Sequence, residues 1–189
     1  MAKVSVGLDI GFFSIKVVSL VSDGEEYRLN NLGAIPTPQP GMASEQDSDL
    51  EVLADAIKKL FAASRIDAKE AVIALPESKV FTRVIDDLPF LTDQELSSAI
   101  RYAAEEFIPM PLSDVNLNWQ VLARSDGKNK NGRTIVLVIA SPKNAVNKYI
   151  KVLSLAGLKA KALETDIIAA TRSLVGRNPF SPGTLIIQL

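Results

Sequence analysis

The sequence contains no cysteine and no histidine. The missing cysteine excludes disulfides, thiolate nucleophiles and cysteine-ligated metals. The missing histidine excludes Ser-His and Cys-His catalysis and the usual zinc sites. The polar groups that remain for catalysis or binding are carboxylates, hydroxyls, amides and lysine amines. Any metal that binds here should therefore be a hard cation such as Mg²⁺ held by oxygen.

Strong charge of one sign and long apolar runs are also missing. The formal net charge is −1. Because nucleic-acid-binding proteins usually carry an excess of positive charge, we expect no nucleic-acid partner. No apolar stretch approaches the roughly 20 residues that span a bilayer. Ser5 and Asp9 interrupt the N-terminal stretch, which therefore predicts a strand rather than a signal peptide. We expect a cytoplasmic protein without direct membrane insertion.

The first elements predict the opening of an α/β domain. Apolar residues alternate over Lys3–Ile10, and Ser14–Val21 and Tyr27–Ile35 follow as strands of an antiparallel meander. A helix follows, with Ser48 and Glu51 as a predicted capping box. One face of that helix carries apolar residues at helical spacing: Leu50, Leu53, Ile57, Leu60 and Phe61. The short apolar run Ala71–Leu75 then predicts a buried strand.

The elements after Pro76 predict a small inserted α+β module of βαββαβ order. A second capping box, Thr92 with Glu95, marks the start of its first helix. The last segment, Thr184–Leu189, predicts an apolar strand that needs a partner sheet, so we expect the chain to be the first part of a longer protein. The predicted division is a first subdomain of 1–86 and 164–178, an inserted subdomain of 87–163 and the start of a second lobe at 179–189.

The turn between the first two strands carries residue types suited to a phosphate. Backbone N–H groups of a tight turn can converge on an anion, and Gly11 permits close approach. Asp9 is placed to hold Mg²⁺ through water, Lys16 to reach the same phosphates and Ser14 to add a hydrogen bond. The same pattern also occurs in hairpins that bind nothing, and it matches neither a Walker A loop nor a dinucleotide fingerprint.

Two segments resemble known families. Gly7–Gly11 followed by Ser14–Val18 is similar to the first phosphate loop of the actin-like ATPase superfamily. Arg101–Leu112, which contains the run Phe-Ile-Pro-Met-Pro, resembles the helix-to-strand signature of the PilM family, which is related to the cell-division protein FtsA. Ala74–Pro76 and Glu164 also stand where that family has them, so the resemblance covers essentially the whole chain.

The resemblance implies an α/β, actin-like (ribonuclease H-like) first lobe that carries the inserted module in place of the usual second subdomain. It implies that ATP binds with Mg²⁺, that Asp9 holds the metal through water, and that no residue of this chain is catalytic. The implied partners are the cytoplasmic N-terminal tail of PilN and other inner-membrane pilus assembly components, at the inner face of the cytoplasmic membrane. The implied phosphate-binding residues are Asp9, Gly11, Phe12, Phe13, Ser14 and Lys16.

Two departures from the family pattern keep other functions open. Phe12 and Phe13 occupy turn positions where the family usually has small polar residues, and Gln188 stands where it has an Asp. Because Gln cannot replace a carboxylate near Mg²⁺ charge for charge, we expect at most slow ATP hydrolysis, and none from this chain alone. The alternatives are a nucleotide-free actin-like scaffold of a secretion or pilus system, or an FtsA-like filament protein of cell division.

Overall fold

The computed structural model describes residues 3–24, 26–125, 132–175 and 186. The strands in this part of the chain are β1 (Lys3–Ile10), β2 (Ser14–Asp23), β3 (Glu26–Pro36), β4 (Glu70–Leu75), β5 (Phe81–Pro89), β6 (Val115–Arg124), β7 (Arg133–Pro142) and β8 (Lys159–Thr165). The helices are α1 (Asp47–Ala63), α2 (Asp93–Phe107), α3 (Lys143–Leu155) and α4 (Asp166–Val175). The chain divides into two compact units, Met1–Glu77 with Asn147–Leu189, and Ser78–Val146.

The first unit is built on a five-stranded mixed sheet with the order β3-β2-β1-β4-β8. The predicted meander is confirmed: β1, β2 and β3 pair antiparallel in chain order. β4 then lies parallel to β1, and β8 lies parallel to β4. Because β1, β4 and β8 run in one direction, their carboxyl ends meet at the same edge of the sheet.

Helix α1 covers one face of this sheet, against β2 and β3. All five apolar residues predicted for its inner face are buried, but the predicted Ser48–Glu51 capping box is wrong. The helix begins earlier, at Asp47, and its N-cap residue Gln46 makes no side-chain cap bond. The hydroxyl of Ser44 organises the approach instead, since it accepts from Gln46 N at 3.0 Å and donates to Asp49 Oδ2 at 2.5 Å.

The second unit has a three-stranded antiparallel sheet of order β5-β7-β6 with α2 packed on one face. The predicted capping box of α2 is confirmed: Thr92 N donates to Glu95 Oε2 at 2.9 Å, and Glu95 N donates to Thr92 Oγ1 at 3.4 Å. The hydrogen bonds that Thr92 donates lower the pKa of the Glu95 carboxyl, and its backbone N–H has a larger effect than its hydroxyl. The core between helix and sheet is formed by Ile85, Leu96, Ile100, Val136 and Val138.

The boundaries of the inserted subdomain, predicted as 87–163, need correction at both ends. Strand β5 belongs to the second unit from Phe81 onward because it pairs with β7. Strand β8 and most of α3 belong to the first unit, because β8 hydrogen-bonds to β4 rather than to the small sheet. The order βαββαβ along the chain is confirmed, but its last helix and strand complete the first unit. The predicted start of a second lobe, 179–189, lies outside the described residues apart from Ile186.

Candidate functional site

The turn that joins β1 to β2 is tight and depends on a glycine. Gly11 N donates to Ser14 O at 3.1 Å, which closes the turn around Phe12 and Phe13. A Cβ atom added to Gly11 would lie 2.9 Å from Ser14 O, closer than real Cβ contacts allow. The turn therefore excludes any side chain at this position, which leaves its backbone open to a close ligand.

Residues of the segment after β3 donate hydrogen bonds to the carbonyl oxygens of this turn. Thr37 Oγ1 donates to Gly11 O at 2.7 Å, Thr37 N donates to Phe13 O at 3.0 Å, and Gln39 Nε2 donates to Phe12 O at 2.9 Å. Thr37 is 6% exposed, so its hydroxyl bond to Gly11 O is partly shielded from water, whereas the bond from Gln39 is exposed. Within the described part of the chain, the backbone N–H groups of Phe12 and Phe13 have no acceptor. The three carbonyls are thus satisfied, and two amide donors remain available to an anion.

The two aromatic side chains of the turn point away from the backbone. The rings of Phe12 and Phe13 are 63% and 84% exposed and contact each other edge to face, with 5.0 Å between centroids. The predicted site residue Ser14 is the first residue of β2 and is partly buried.

Four residues form a row across the sheet at this edge. Asp9 of β1 pairs with Lys16 of β2 and with Ala74 of β4, and Ala74 pairs with Glu164 of β8. Directly paired residues of neighbouring strands share a face of the sheet, so Lys16, Asp9 and Glu164 lie on one face, beside the turn. Lys16 Nζ is 3.6 Å from Asp9 Oδ2, and both side chains are accessible, at 62% and 43% exposure.

A pocket of about 380 Å³ lies along this row. Its walls combine the two ends of the row, Lys16 and Glu164, with apolar groups of the central strands. The residues that line it include Gly7, Asp9, Lys16, Val18, Ala74 and Glu164. The structure thus brings the predicted residues Asp9 and Lys16 to one pocket, directly beside the predicted turn.

Two further polar groups of this region were not predicted as site residues. Glu164 forms a two-contact ion pair with Arg172 of α4, whose Nη1 lies 3.3 Å from Glu164 Oε2. Tyr149 of α3 is 4% exposed. Its burial raises the pKa of the phenol to about 12, and the nearby carboxylates of Asp9 and Asp166 add to the shift. Tyr149 is thus a buried phenol whose proton is held more tightly than that of an exposed tyrosine. Only the resemblance singled out Glu164, and no local pattern separates Tyr149 from an ordinary core residue.

The comparisons with known proteins agree with this fold. A family model described as type IV pilus assembly protein PilM matches residues 7–179. The chain belongs to the PilM family. A chain of a solved PilM–PilN type IV pilus biogenesis complex is similar to it, with 30% identity and a TM-score of 0.78. That match covers 92% of this chain and 50% of the other, so this PilM-family chain spans about half the length of that relative.

A second solved structure is similar in fold alone. It is the cytoplasmic domain of EpsL, an inner membrane component of the type II secretion system of Vibrio cholerae, with a TM-score of 0.53 and 15% identity. The match covers 88% of this PilM-family chain and 59% of that cytoplasmic-domain chain. No helix among the described residues is long and apolar enough to cross a bilayer.

Proposed function

We propose that this PilM-family chain is the nucleotide-binding part of an adaptor in type IV pilus assembly, with Mg²⁺·ATP bound at the β1–β2 turn. The observation that carries the proposal is the one-sided anchoring of the turn. Thr37 and Gln39 satisfy its carbonyl oxygens. The N–H groups of Phe12 and Phe13 find no acceptor among the described residues, on a backbone that no side chain at Gly11 obstructs.

The donor set fits a nucleotide phosphate with its metal. Mg²⁺ keeps several waters and is usually held by one or two carboxylates together with substrate phosphates, and Asp9 would supply one carboxylate through water. Lys16 would contribute a positive charge to the phosphates, and Ser14 a hydroxyl. The Asp9–Lys16 contact is exposed and 3.6 Å long, so both side chains are free to turn toward a ligand at little cost.

The bound metal would neutralise phosphate charge, and this chain's own residues would bind and orient the nucleotide. Glu164 is already engaged by Arg172, which leaves Asp9 as the carboxylate of the row available to the metal. We infer binding with slow or no turnover, consistent with Gln188 at the position where the family has an acid.

The adaptor role is supported by family membership and by the solved relative, which is a complex with PilN. We infer that this protein binds the cytoplasmic N-terminal tail of PilN and, through it, joins other inner-membrane pilus assembly components. It would act in the cytoplasm at the inner face of the membrane.

Equilibrium titration with Mg²⁺·ATP tests the nucleotide assignment. We expect Asp9→Ala to weaken binding by at least about tenfold, or ~1.4 kcal/mol, because it removes the carboxylate beside the metal. Asp23→Ala is the matched control, since Asp23 ends β2 at the opposite end of the same hairpin and is exposed. Equal affinity of wild type and Asp9→Ala would remove the phosphate-loop assignment.

Titration with a synthetic PilN-tail peptide tests the adaptor role separately. We expect the 189-residue chain to bind this peptide and not a scrambled peptide of the same composition. If a chain shown to be folded by circular dichroism binds neither, the PilN partnership fails while the nucleotide site stands.

One observation favours a second function, a nucleotide-free scaffold. Two adjacent aromatic rings, 63% and 84% exposed at the tip of a hairpin, are typical of a surface that contacts another protein. The ATP titration separates the two functions, because a scaffold of this kind would show no binding at millimolar Mg²⁺·ATP.

A further inference from the structure

Strand β5 is an edge of the small sheet and has a groove beside it. The order β5-β7-β6 leaves one side of β5 without a neighbouring strand among the described residues. Its pairing with β7 is also irregular between Ile85 and Leu88, where Asp86 and Asp87 have no partner in the register. An open strand edge presents a row of N–H and C=O groups that can pair with another chain.

Helix α2 forms the other wall of this groove. Ala99, Tyr102, Ala103 and Glu106 follow the spacing i, i+3, i+4 and i+7, so they lie on one stripe of the helix. Together with the β5 segment from Arg83 to Leu88 they line a pocket of about 300 Å³. The two alanines of the stripe are small, which leaves room beside the strand.

The groove has an apolar floor and an acidic rim. Ile85 and Leu88 belong to the core beneath it, whereas Asp86, Asp87 and Glu106 are exposed around it. Within the described residues none of these three carboxylates has an ion-pair partner. Arg83 is the one cation among the described residues of the lining, and its guanidinium carbon lies 5.4 Å from the ring centroid of Phe107.

An exposed aromatic ring completes the rim. Tyr102 is 73% exposed although it borders an apolar floor. A ring in this position can cover an apolar side chain of a ligand or attract a cation to its face. In the isolated chain most of this ring is in contact with water, and a bound ligand would bury it.

We propose that the groove between β5 and α2 binds an extended segment of a partner protein that adds as a strand to β5 and carries Lys or Arg beside apolar residues. Backbone pairing to an open edge gives affinity to such a segment, and alternate side chains that enter a flanking pocket give specificity. The carboxylates of Asp86, Asp87 and Glu106 complement a basic side chain, and the floor of Ile85 and Leu88 complements an apolar one. The groove shares no residue with the β1–β2 turn, so this proposal does not rest on nucleotide binding.

The test is a nuclear magnetic resonance titration of the ¹⁵N-labelled chain with a blocked octapeptide that alternates valine with lysine. We expect shifts of the β5 backbone amides, and slower hydrogen exchange at them, with much smaller effects from an octapeptide that alternates valine with glutamate. Glu106→Lys should weaken binding by about fivefold or more, because it replaces an attraction with a repulsion.

Glu105→Lys is the matched control, since Glu105 is exposed on the same helix but does not line the groove. We expect it to bind the lysine peptide like the wild type. Three results would overturn the proposal: no shift at β5 in the folded chain, equal binding of the two peptides, or equal losses from Glu106→Lys and Glu105→Lys.

Discussion

The hydroxyl of Thr37 donates a 2.7 Å hydrogen bond to the carbonyl oxygen of Gly11. These residues are 26 positions apart, and the bond ties the turn after β1 to the segment that follows β3. It provides a hydrogen-bond donor to one carbonyl oxygen of the turn.

Removal of this hydroxyl should loosen the turn. We expect Thr37→Val, which keeps the shape of the side chain, to lower the free energy of unfolding by about 1–2 kcal/mol, because a partly buried carbonyl loses its donor. Urea unfolding measures the change. Thr37→Ser keeps the hydroxyl and should lose less. A valine variant as stable as the wild type would show that the bond does not hold the turn.

A side chain at Gly11 should be poorly tolerated. The added Cβ of Gly11→Ala would meet the backbone oxygen of Ser14 at 2.9 Å, so the turn must shift. We expect a loss of about 1–3 kcal/mol in the free energy of unfolding, the usual range for overpacking, together with weaker ATP binding.

Gly7→Ala is the control for this substitution. Its Cβ would make an ordinary contact of 3.4 Å with Val18 Cγ1, and an alanine within a strand loses less backbone entropy on folding than a glycine. We expect unchanged or slightly higher stability by urea unfolding. If both alanine variants lose the same free energy, the close approach at Gly11 is not the cause.

The buried phenol of Tyr149 should make stability fall at alkaline pH. Its pKa is raised to about 12 in the folded chain against about 10 in an unfolded chain, so the folded state holds the proton more tightly. This contribution is complete below pH 10 and is lost as pH rises toward 12. Between pH 9 and pH 11 the free energy of unfolding should fall by about 1.3 kcal/mol from this group alone.

Urea unfolding of wild type and Tyr149→Phe at both pH values isolates this effect, since the two proteins differ only in the phenol hydroxyl. We expect the phenylalanine variant to show a smaller fall. Tyr102→Phe, at a tyrosine that is 73% exposed, should behave like the wild type. Equal pH dependence of all three proteins would show that Tyr149 is not held neutral by its surroundings.

The sequence predicts the part of the site that local patterns determine. Alternation in β1 and a tight turn after it predict the hairpin that brings Asp9 opposite Lys16, and a glycine at the turn indicates a close backbone. The anchoring by Thr37 and Gln39 could not be predicted, because they lie in a Pro-rich segment without periodicity. The place of Glu164 depends on parallel pairing with β4, and no pattern within β8 specifies that partner.

The same reason explains the errors in the fold. A short strand such as β8 carries no signal for which of two sheets it will join, so its assignment to the inserted subdomain followed chain order alone. The Ser48–Glu51 box failed because Ser44 and Asp49 make an earlier start possible. Periodicity determined the buried face of α1 correctly, whereas its first residue depended on a local competition between polar side chains.

The most direct test of the central claim is the response of the turn amides to phosphate. In a ¹⁵N spectrum of the chain, millimolar Mg²⁺·ATP should shift the backbone N–H signals of Phe12 and Phe13, and adenosine at the same concentration should not, because the free donors are proposed to bind phosphate. If saturating Mg²⁺·ATP leaves both signals unmoved, the β1–β2 turn is not a phosphate site.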